Sequence, residues 1–320
     1  MKESLDGKIY LGLDTSAYTT SLAAVDGEER LIFDRRLPLP VDEGSLGLRQ
    51  SEAVFCHIKN LPLLWEKNNK IFEDYRVAAV AASTRPRPLP GSYMPVFKVG
   101  EAFGLVIAQT MGLSFLPSTH QEGHVMAGLW SAGLDRGRYM CAHLSGGTSE
   151  IVSAEEKEPG RLDLKLLSES GDLNAGQFID RLGRLMGLGF PAGPQLEKLA
   201  QTGEEGAVQL PVAVTGSRIS FSGPATRAER ILNSGGKKED VARAIEVCIA
   251  DSLIRALGSL LEGTGSYDGI LAVGGVTANR YIKERLKQKL EAGGIYFADP
   301  IFASDNAAGL AVQAARYYKV

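Results

Sequence analysis

Two segments of this chain share a pattern that few folds accommodate: an apolar run, a short turn rich in hydroxyl residues, and a second apolar run. The first spans residues 9–25 (IYLGLDTSAYTTSLAAV) and the second spans residues 139–154 (YMCAHLSGGTSEIVSA). Each pattern predicts a β-hairpin. Because one lies near the start and the other near the middle of the 320 residues, they predict two similar α/β lobes. Each lobe would offer backbone N–H groups and hydroxyls from a hairpin turn, an array that suits a phosphate.

Composition and charge limit the class of protein. A chain of 320 residues with 44% hydrophobic and 23% charged residues can form two globular domains, each with its own core. The net charge of -3 gives no overall attraction to nucleic acid or to an anionic membrane, although local basic patches could still provide one. The three cysteines are far apart in apolar stretches, so we expect buried free thiols in a reducing cytosol. We expect no signal peptide and no membrane span, and hence a cytoplasmic location.

Hydrophobic periodicity and turn residues predict most of the other elements. We expect helices over 51–70, 95–111, from Asn174 into the 180s, 195–202 and 241–261, and strands over 77–82, 113–116, 161–167, 269–273 and 295–298. Residues 217–226 are expected to form a short strand and an exposed loop. Ser304 or Asp305 is expected to cap a final helix, which is the ordinary role of an aspartate at such a position.

A histidine pair follows the predicted strand 113–116. His120 and His124 are four residues apart in a segment that favours a helix, so both imidazoles are expected on one helix face, where they could share a metal ion. Gln121 stands where the metalloprotease motif HExxH has its glutamate. Such a pair also arises by chance, so the residues alone leave both a metal site and an ordinary helix face open.

Glycine-rich turns mark further candidate ligand sites. Gly274 and Gly275 follow a buried strand and precede a helix, where a ligand can approach the backbone closely. Asp172 and the turn over 189–193 are either ordinary punctuation of a helix hairpin or segments that approach a nucleotide. Arg85 and Arg87, in the proline-rich TRPRPLP segment, are either solvated or contact a phosphate or RNA backbone.

Taken together, the order of these motifs resembles that of the TsaD family, also called the Gcp or glycoprotease-like family. The resemblance rests on the first hairpin turn, HQEGH, the SGG turn, AG-x-x-x-D, the glycine–proline turn, SFSG, GGV-x-AN and DNAA, and it runs over essentially the whole chain. It implies the actin-like, sugar-kinase-like ASKHA fold, an α/β fold of two duplicated lobes with a nucleotide cleft between them. The lobes would span residues 1–135 and 136–320, with a last helix over 305–318 packing back on the first lobe.

The resemblance also implies an activity and partners. Members of the family transfer a threonylcarbamoyl group from its adenylate to N6 of adenosine 37 in tRNAs that read ANN codons. The implied partners are a TsaC-type synthase that makes the adenylate, TsaB-like and TsaE-like proteins or another TsaD-like chain, and tRNA. The resemblance leaves a dimer through the first lobe open, and no membrane contact is expected.

Site residues carry over position by position. His120, His124 and Asp305 match the family's ligands for one iron or zinc ion. Residues matching segments that contact ATP, ADP or the acyl-adenylate are Ser145, Gly146, Gly147, Thr148, Asp172, Gly189, Gly193, Gly275 and Asn279. Asp14 and Ser16 of the first hairpin turn are the candidate catalytic residues.

The chain departs from the family at its catalytic motifs. Tyr18 and Thr19 stand where the family's first turn has an acidic Asp-Glu pair, Gln177 replaces the glutamate of AGEAFD, and Ala225 replaces the lysine of FSGLKT. Residues 85–89 replace the QGPGL loop, and the SGGHT turn has lost its histidine. Three hypotheses follow: a threonylcarbamoyltransferase in which Asp14 covers part of the lost acid function, a catalytically impaired paralogue that binds nucleotide and metal as a partner module, and a metallopeptidase. The last ranks lowest, because Glu122 is expected to point away from the face that the two histidines share.

Overall fold

The structure is a computed structural model that describes residues 7–40, 48–290 and 294–319. Up to the histidine pair, the elements are β1 (Gly7–Thr15), β2 (Thr19–Asp26), β3 (Leu31–Pro38), α1 (Gln50–Glu66), α2 (Asn69–Asp74), β4 (Tyr75–Ser83), α3 (Phe97–Met111), β5 (Ser114–Ser118) and α4 (His120–Ser131). There follow β6 (Arg138–Leu144), β7 (Ser149–Glu158), β8 (Arg161–Glu169), α5 (Ala175–Met186), α6 (Gly193–Ala200), β9 (Val214–Thr215), β10 (Arg218–Ile219), α7 (Ser222–Asn233) and α8 (Lys238–Gly263). The chain continues with β11 (Gly269–Val273), α9 (Arg280–Leu290), β12 (Ile295–Phe297) and α10 (Ala308–Tyr318).

Two five-stranded sheets have the same strand order. The first runs β3-β2-β1-β4-β5 and the second runs β8-β7-β6-β11-β12. In both, an antiparallel hairpin (β1–β2 or β6–β7) is continued on one side by parallel strands. The fold is therefore the expected α/β architecture with a duplicated sheet.

The two hairpins also close in the same way. The last paired residues are Thr15 with Thr20 in one hairpin, and Leu144 with Ser149 in the other. In the first turn Ser16 N–H donates to the Thr19 carbonyl at 3.2 Å, and in the second Ser145 N–H donates to the Thr148 carbonyl at 2.7 Å. The turns over 16–19 and 145–148 are thus equivalent, which confirms the hairpins predicted from the sequence.

The chain divides into two compact units. The first takes in the chain up to Arg136, the segment Glu156–Leu164 and the chain from Ser304 onward, and the second takes in Gly137–Glu155 and Lys165–Ala303. The first unit has a core between its sheet, α1 and α3. In the second unit the long helix α8 contributes many of the buried core residues and packs against α6, α7 and α9.

Helix α10 packs against β1, β4 and α4 of the first unit, and every residue from Ala308 to Ala315 is buried. This packing requires glycine at two positions. A Cβ atom on Gly12 of β1 would collide with the Ala307 carbonyl, and one on Gly309 would collide with the Gly123 carbonyl of α4. The backbones of β1, α4 and α10 therefore lie in direct contact, which fixes the residues at their ends relative to one another.

Some sequence predictions about individual elements were wrong. Residues 222–226 are not an exposed loop: they begin α7, and Ala225 is fully buried. The helix expected over 51–70 ends at Glu66, and the separate short helix α2 follows. All three cysteines are free thiols as expected, but Cys56 is only half-buried. Within the described ranges, no helix is long and apolar enough to span a bilayer.

Candidate functional site

His120 and His124 begin α4, directly after β5. Thr119 caps the helix, because its side chain accepts a hydrogen bond from the Glu122 N–H. The helical spacing brings the two imidazole rings to 4.5 Å between centroids, at an interplanar angle of 84°. The predicted placement of both rings on one helix face is therefore confirmed.

Asp305 lies beside these two histidines instead of capping the last helix. Its Oδ1 is 3.3 Å from His124 Nε2 and 3.6 Å from His120 Nε2. Helix α10 has Ala307 as its N-cap, and the Asn306 side chain accepts the Ala308 N–H. The prediction that Asp305 caps the last helix was wrong. It was made from the position of Asp305 before the helix, and this position does not show that α10 packs against α4 and brings Asp305 to the histidines.

The three side chains fit a metal ion. One ligand atom from each of His120, His124 and Asp305 lies within 4.8 Å of the other two. Ligand atoms about 2.1 Å from a shared tetrahedral ion are about 3.4 Å apart, close to the two distances to Asp305. Two imidazoles and one carboxylate are a donor set for zinc or ferrous iron. Burial would raise the pKa of Asp305, but the hydrogen bond from His124 and the charges of both imidazoles hold it well below its usual value, so the carboxylate stays ionised.

Asp14 and Ser16 of the first hairpin contact this cluster directly. Asp14 is buried, and its carboxylate oxygens lie 3.0 and 3.1 Å from His120 Nδ1. The Ser16 hydroxyl donates to Asp305 Oδ2 at 2.5 Å. The structure therefore brings the two predicted catalytic residues together with the three predicted metal ligands, all within the first unit.

The proline-rich loop after β4 supports the start of α4 through its backbone. The carbonyl groups of Arg85 and Pro86 accept hydrogen bonds from the N–H groups of His120 and Gln121, at 3.0 Å each. Glu122 receives a hydrogen bond from the Ser118 hydroxyl at 3.4 Å, and burial raises its pKa. This loop thus orients the histidine helix, a function that its arginines did not indicate in the sequence.

In the second unit, the SGGT turn presents an open backbone. A Cβ atom on Gly146 or Gly147 would meet nothing within 4 Å, and no hydrogen bond from either amide is found among the described residues. On its inner side the turn contacts α5: Gly176 N–H donates to the Ser145 carbonyl at 3.2 Å, and Asn174 Nδ2 donates to the Gly147 carbonyl at 3.0 Å. Backbone N–H groups in a turn of this kind can bind an anion.

Helix α5 itself has no spare donors at its start. Ala175 N–H donates to the Ser149 hydroxyl at 2.8 Å, and Asn174 and Gln177 form a reciprocal capping box. A capping box accepts glutamine as readily as glutamate, so the AGEAFD-to-AGQFID change preserves this function of the side chain. A phosphate would therefore be held by the turn and not by the helix N-terminus.

The glycine turn after β11 lies against the end of β6. Gly274 has a φ of +97°, and a Cβ atom there would collide with the Leu144 carbonyl, whereas Gly275 faces open space. Asn279 does not present a free amide: Oδ1 accepts the Ile282 N–H at 3.0 Å and Nδ2 donates to Glu246 at 2.7 Å. Its side chain holds the start of α9.

The remaining nucleotide candidates lie around α5. Asp172 accepts a hydrogen bond from the Ser220 hydroxyl at 2.6 Å; burial alone would raise its pKa, but this bond and backbone donors lower it. Gly189 N–H donates to Gln195 at 3.0 Å, and a Cβ atom on Gly193 would meet nothing within 4 Å. Sequence reasoning missed Asp180, which accepts the Ala192 N–H at 2.8 Å and thus fixes the turn next to Gly193. The AG-x-x-x-D spacing could have identified it.

Comparisons with known proteins agree with this architecture. A family model described as TsaD, tRNA N6-adenosine threonylcarbamoyltransferase, matches residues 72–312. The activator of the 2-hydroxyisocaproyl-CoA dehydratase from Clostridium difficile, solved with bound ADPNP, is 15% identical over 96% of this chain and 94% of its own, with a TM-score of 0.54. Component A of the Acidaminococcus fermentans (R)-2-hydroxyglutaryl-CoA dehydratase is 14% identical over 96% and 97%, with a TM-score of 0.55.

A third structure, T. kodakarensis HypF, is 13% identical with a TM-score of 0.59, over 96% of this chain and 46% of its own. This chain therefore spans about half the length of HypF. At these identities the likeness concerns the fold alone, which is the ASKHA fold.

Proposed function

The chain belongs to the TsaD family, and from that premise we propose that it is a metal-dependent tRNA N6-adenosine threonylcarbamoyltransferase. The substrates would be threonylcarbamoyl-adenylate and adenosine 37 of ANN-reading tRNAs. The observation that carries the proposal is the cluster of His120, His124 and Asp305, whose ligand atoms lie within 4.8 Å of one another.

The proposed reaction needs a metal site and a phosphate site. His120, His124 and Asp305 of the first unit would hold one zinc or iron ion, which when bound supplies a Lewis acid for the donor's phosphate or carbamoyl oxygen. The amides of Gly146 and Gly147 are the candidate donors to a nucleotide phosphate. The N6 amine then attacks the carbamoyl carbon: the new C–N bond forms, the bond from that carbon to the AMP phosphate oxygen breaks, and the proton that N6 loses passes to the released AMP phosphate. The ADPNP bound in the dehydratase activator is in keeping with an adenine nucleotide in this fold.

A second candidate is an impaired paralogue that binds nucleotide and metal as a partner module. It is favoured by the first hairpin turn, where Tyr18 is 48% exposed and stands in place of an acid. The peptidase hypothesis has less support, because the Glu122 carboxylate accepts a hydrogen bond from the Ser118 hydroxyl.

We would test the proposal by expressing the protein in a TsaD-depleted strain and measuring threonylcarbamoyladenosine in its tRNA by mass spectrometry. We expect the wild type to restore the modification and Asp305→Ala to leave it at the level of the empty vector. Asp299→Ala is the control, because it removes a nearby aspartate carboxylate that accepts the Ile301 N–H in a short 3-10 turn and is not one of the three candidate ligands. Immunoblots would show equal protein levels.

A further arm separates the two candidates. A double variant, Tyr18→Asp with Thr19→Glu, restores the family's acidic pair. Modification by the double variant but not by the wild type would assign the chain as an impaired paralogue. No modification by either folded protein would reject transferase activity and leave a binding module.

A further inference from the structure

Asp14 lies behind the imidazole of His120 and not at the face of the metal cluster. Its side chain is 1% exposed, and its carboxylate oxygens lie 3.0 and 3.1 Å from His120 Nδ1. The Ser83 hydroxyl also donates to Asp14 Oδ1, at 2.5 Å. A carboxylate held in this way accepts a proton that His120 carries on Nδ1, which leaves Nε2 as the bare nitrogen.

Ser16 does the equivalent for the carboxylate ligand. Its hydroxyl donates to Asp305 Oδ2 at 2.5 Å, while Oδ1 is the oxygen near both histidines. Ser16 is itself fixed, because buried His57 on α1 places its Nε2 2.8 Å from the Ser16 carbonyl. One oxygen of Asp305 is thus occupied by the hairpin, and the other is left for an ion.

We infer that Asp14 and Ser16 are positioning residues that set the metal affinity, Asp14 by selecting the His120 tautomer and Ser16 by orienting Asp305. The inference rests on the proposed metal centre and gives the first hairpin a function other than contact with the transferred group. It also bears on the lost acids: Asp14 is fully engaged by His120 and Ser83, so it does not replace a catalytic acid at the substrate.

The test is direct metal binding by the purified full chain. After stripping with a chelator, the Zn²⁺ affinity is measured by competition with a chromophoric chelator, and Co²⁺ spectra report the ligand field. We expect Asp14→Ala and Ser16→Ala each to weaken Zn²⁺ binding by about 10- to 100-fold, the usual effect of losing a hydrogen-bond partner of a ligand. Asp14→Asn should lose less, because its amide oxygen still accepts from Nδ1–H.

Two controls lie in the same hairpin. Asp26→Asn changes a carboxylate that accepts from Arg30, and Ser21→Ala removes a buried hydroxyl that has no partner among the described residues. Both should bind Zn²⁺ as the wild type does. If Asp14→Ala fails to fold by circular dichroism, Ser16→Ala and Asp14→Asn still decide the question.

The two possible failures are distinguishable. Unchanged Zn²⁺ affinity in Asp14→Ala and Ser16→Ala, with affinity lost in His124→Ala, overturns the positioning role and leaves the metal centre intact. A wild type that binds neither Zn²⁺ nor Co²⁺ overturns both.

Discussion

Glu246 on α8 is a carboxylate almost without access to water, at 1% exposure. It accepts hydrogen bonds of 2.7 Å from Asn279 Nδ2 and from the Arg243 guanidinium. Burial raises the pKa of Glu246 to about 7, and these two partners only partly oppose it. Between the ordinary glutamate pKa and 7, the folded protein therefore binds more protons at this site than the unfolded chain does.

The consequence is a stability that falls as pH rises. The contribution of Glu246 to the free energy of unfolding is largest below about pH 4.5. It declines as the pH rises to about 7, by at most about 3 kcal/mol. We expect Glu246→Gln to flatten this slope in thermal unfolding followed from pH 5 to pH 8. Glu284→Gln, which changes a largely exposed glutamate paired with Arg280, is the control. Equal slopes in the wild type and Glu246→Gln would contradict the prediction.

At this scale the sequence identified residues better than their roles. The i, i+4 spacing sufficed to place His120 and His124 together, because a helix dictates it. Asp305 was matched to the cluster only through family resemblance, since its contact depends on how α10 packs. Asp180 was missed, and Asn279 was assigned to ligand binding. The hydrogen bonds that Asp180 makes to the turn after α5, and that Asn279 makes at the start of α9, leave no pattern in the neighbouring sequence.

At the scale of the elements, helix α10 has little room for change, because every residue from Ala308 to Ala315 is buried. A Cβ atom on Gly309 would collide with the Gly123 carbonyl and lie 2.7 Å from Ala127 N. We expect Gly309→Ala to destabilise the protein by about 1–3 kcal/mol and to weaken Zn²⁺ binding, because α10 must move away from α4 and take Asp305 with it.

Gly258→Ala is the matched control on another helix. A Cβ atom at Gly258 of α8 would meet nothing within 4 Å, so this change should stabilise the helix by about 0.5–1 kcal/mol. Chemical denaturation of both variants, with a Zn²⁺ titration, would check the pair. A Gly309→Ala protein as stable as the wild type would contradict the close packing of α10 against α4.

The sequence predicted strands better than helices at this scale. Apolar runs such as VAAVAA and GILAV are confirmed as β4 and β11 because buried parallel strands need no polar face. Helix α7 was missed because Ser222-Gly223-Pro224 at its start is typical of a loop, although proline is tolerated in a first turn. A proline often ends a helix, but Pro62 lies inside α1, which continues to Glu66.

For the whole molecule, the outer face of α1 indicates a protein partner. Phe55 is 62% exposed, and Ile58 and Leu63 are about half exposed. Neighbouring α3 exposes Val106 and Met111. Large exposed apolar patches mark interaction sites.

The charges on the same face select the partner. Glu52, Lys59 and Glu66 are exposed at seven-residue spacing along α1. If two copies of α1 paired in parallel over their full length, each of these charges would face its own copy. If they paired antiparallel about Lys59, Glu52 would face Glu66 and Lys59 would face Lys59, so like charges would repel in both arrangements. We therefore propose a different chain, TsaB-like within this family, that presents an apolar helix with a basic-acidic-basic pattern.

Sedimentation and co-purification with a TsaB-like protein from the same source would test this. We expect a monomer alone, a one-to-one complex with the partner, and loss of the complex in Phe55→Glu with Ile58→Glu. A double change on another surface, Leu166→Glu with Leu185→Glu, should leave it intact, since both residues are exposed in the second unit. A homodimer that the Phe55 and Ile58 changes disrupt would contradict the choice of partner.

The first unit is assembled from both ends of the chain, since β1 and α4 come early and Asp305 and α10 come last. During translation, domains generally fold as they emerge, at about 5–20 residues per second. Here the ribosome must add about nine-tenths of the chain after β1 before α10 can cover that strand. The nascent chain would therefore expose the surface that α10 covers until that helix has emerged, and the metal-binding cluster cannot form on an arrested polypeptide that lacks Asp305.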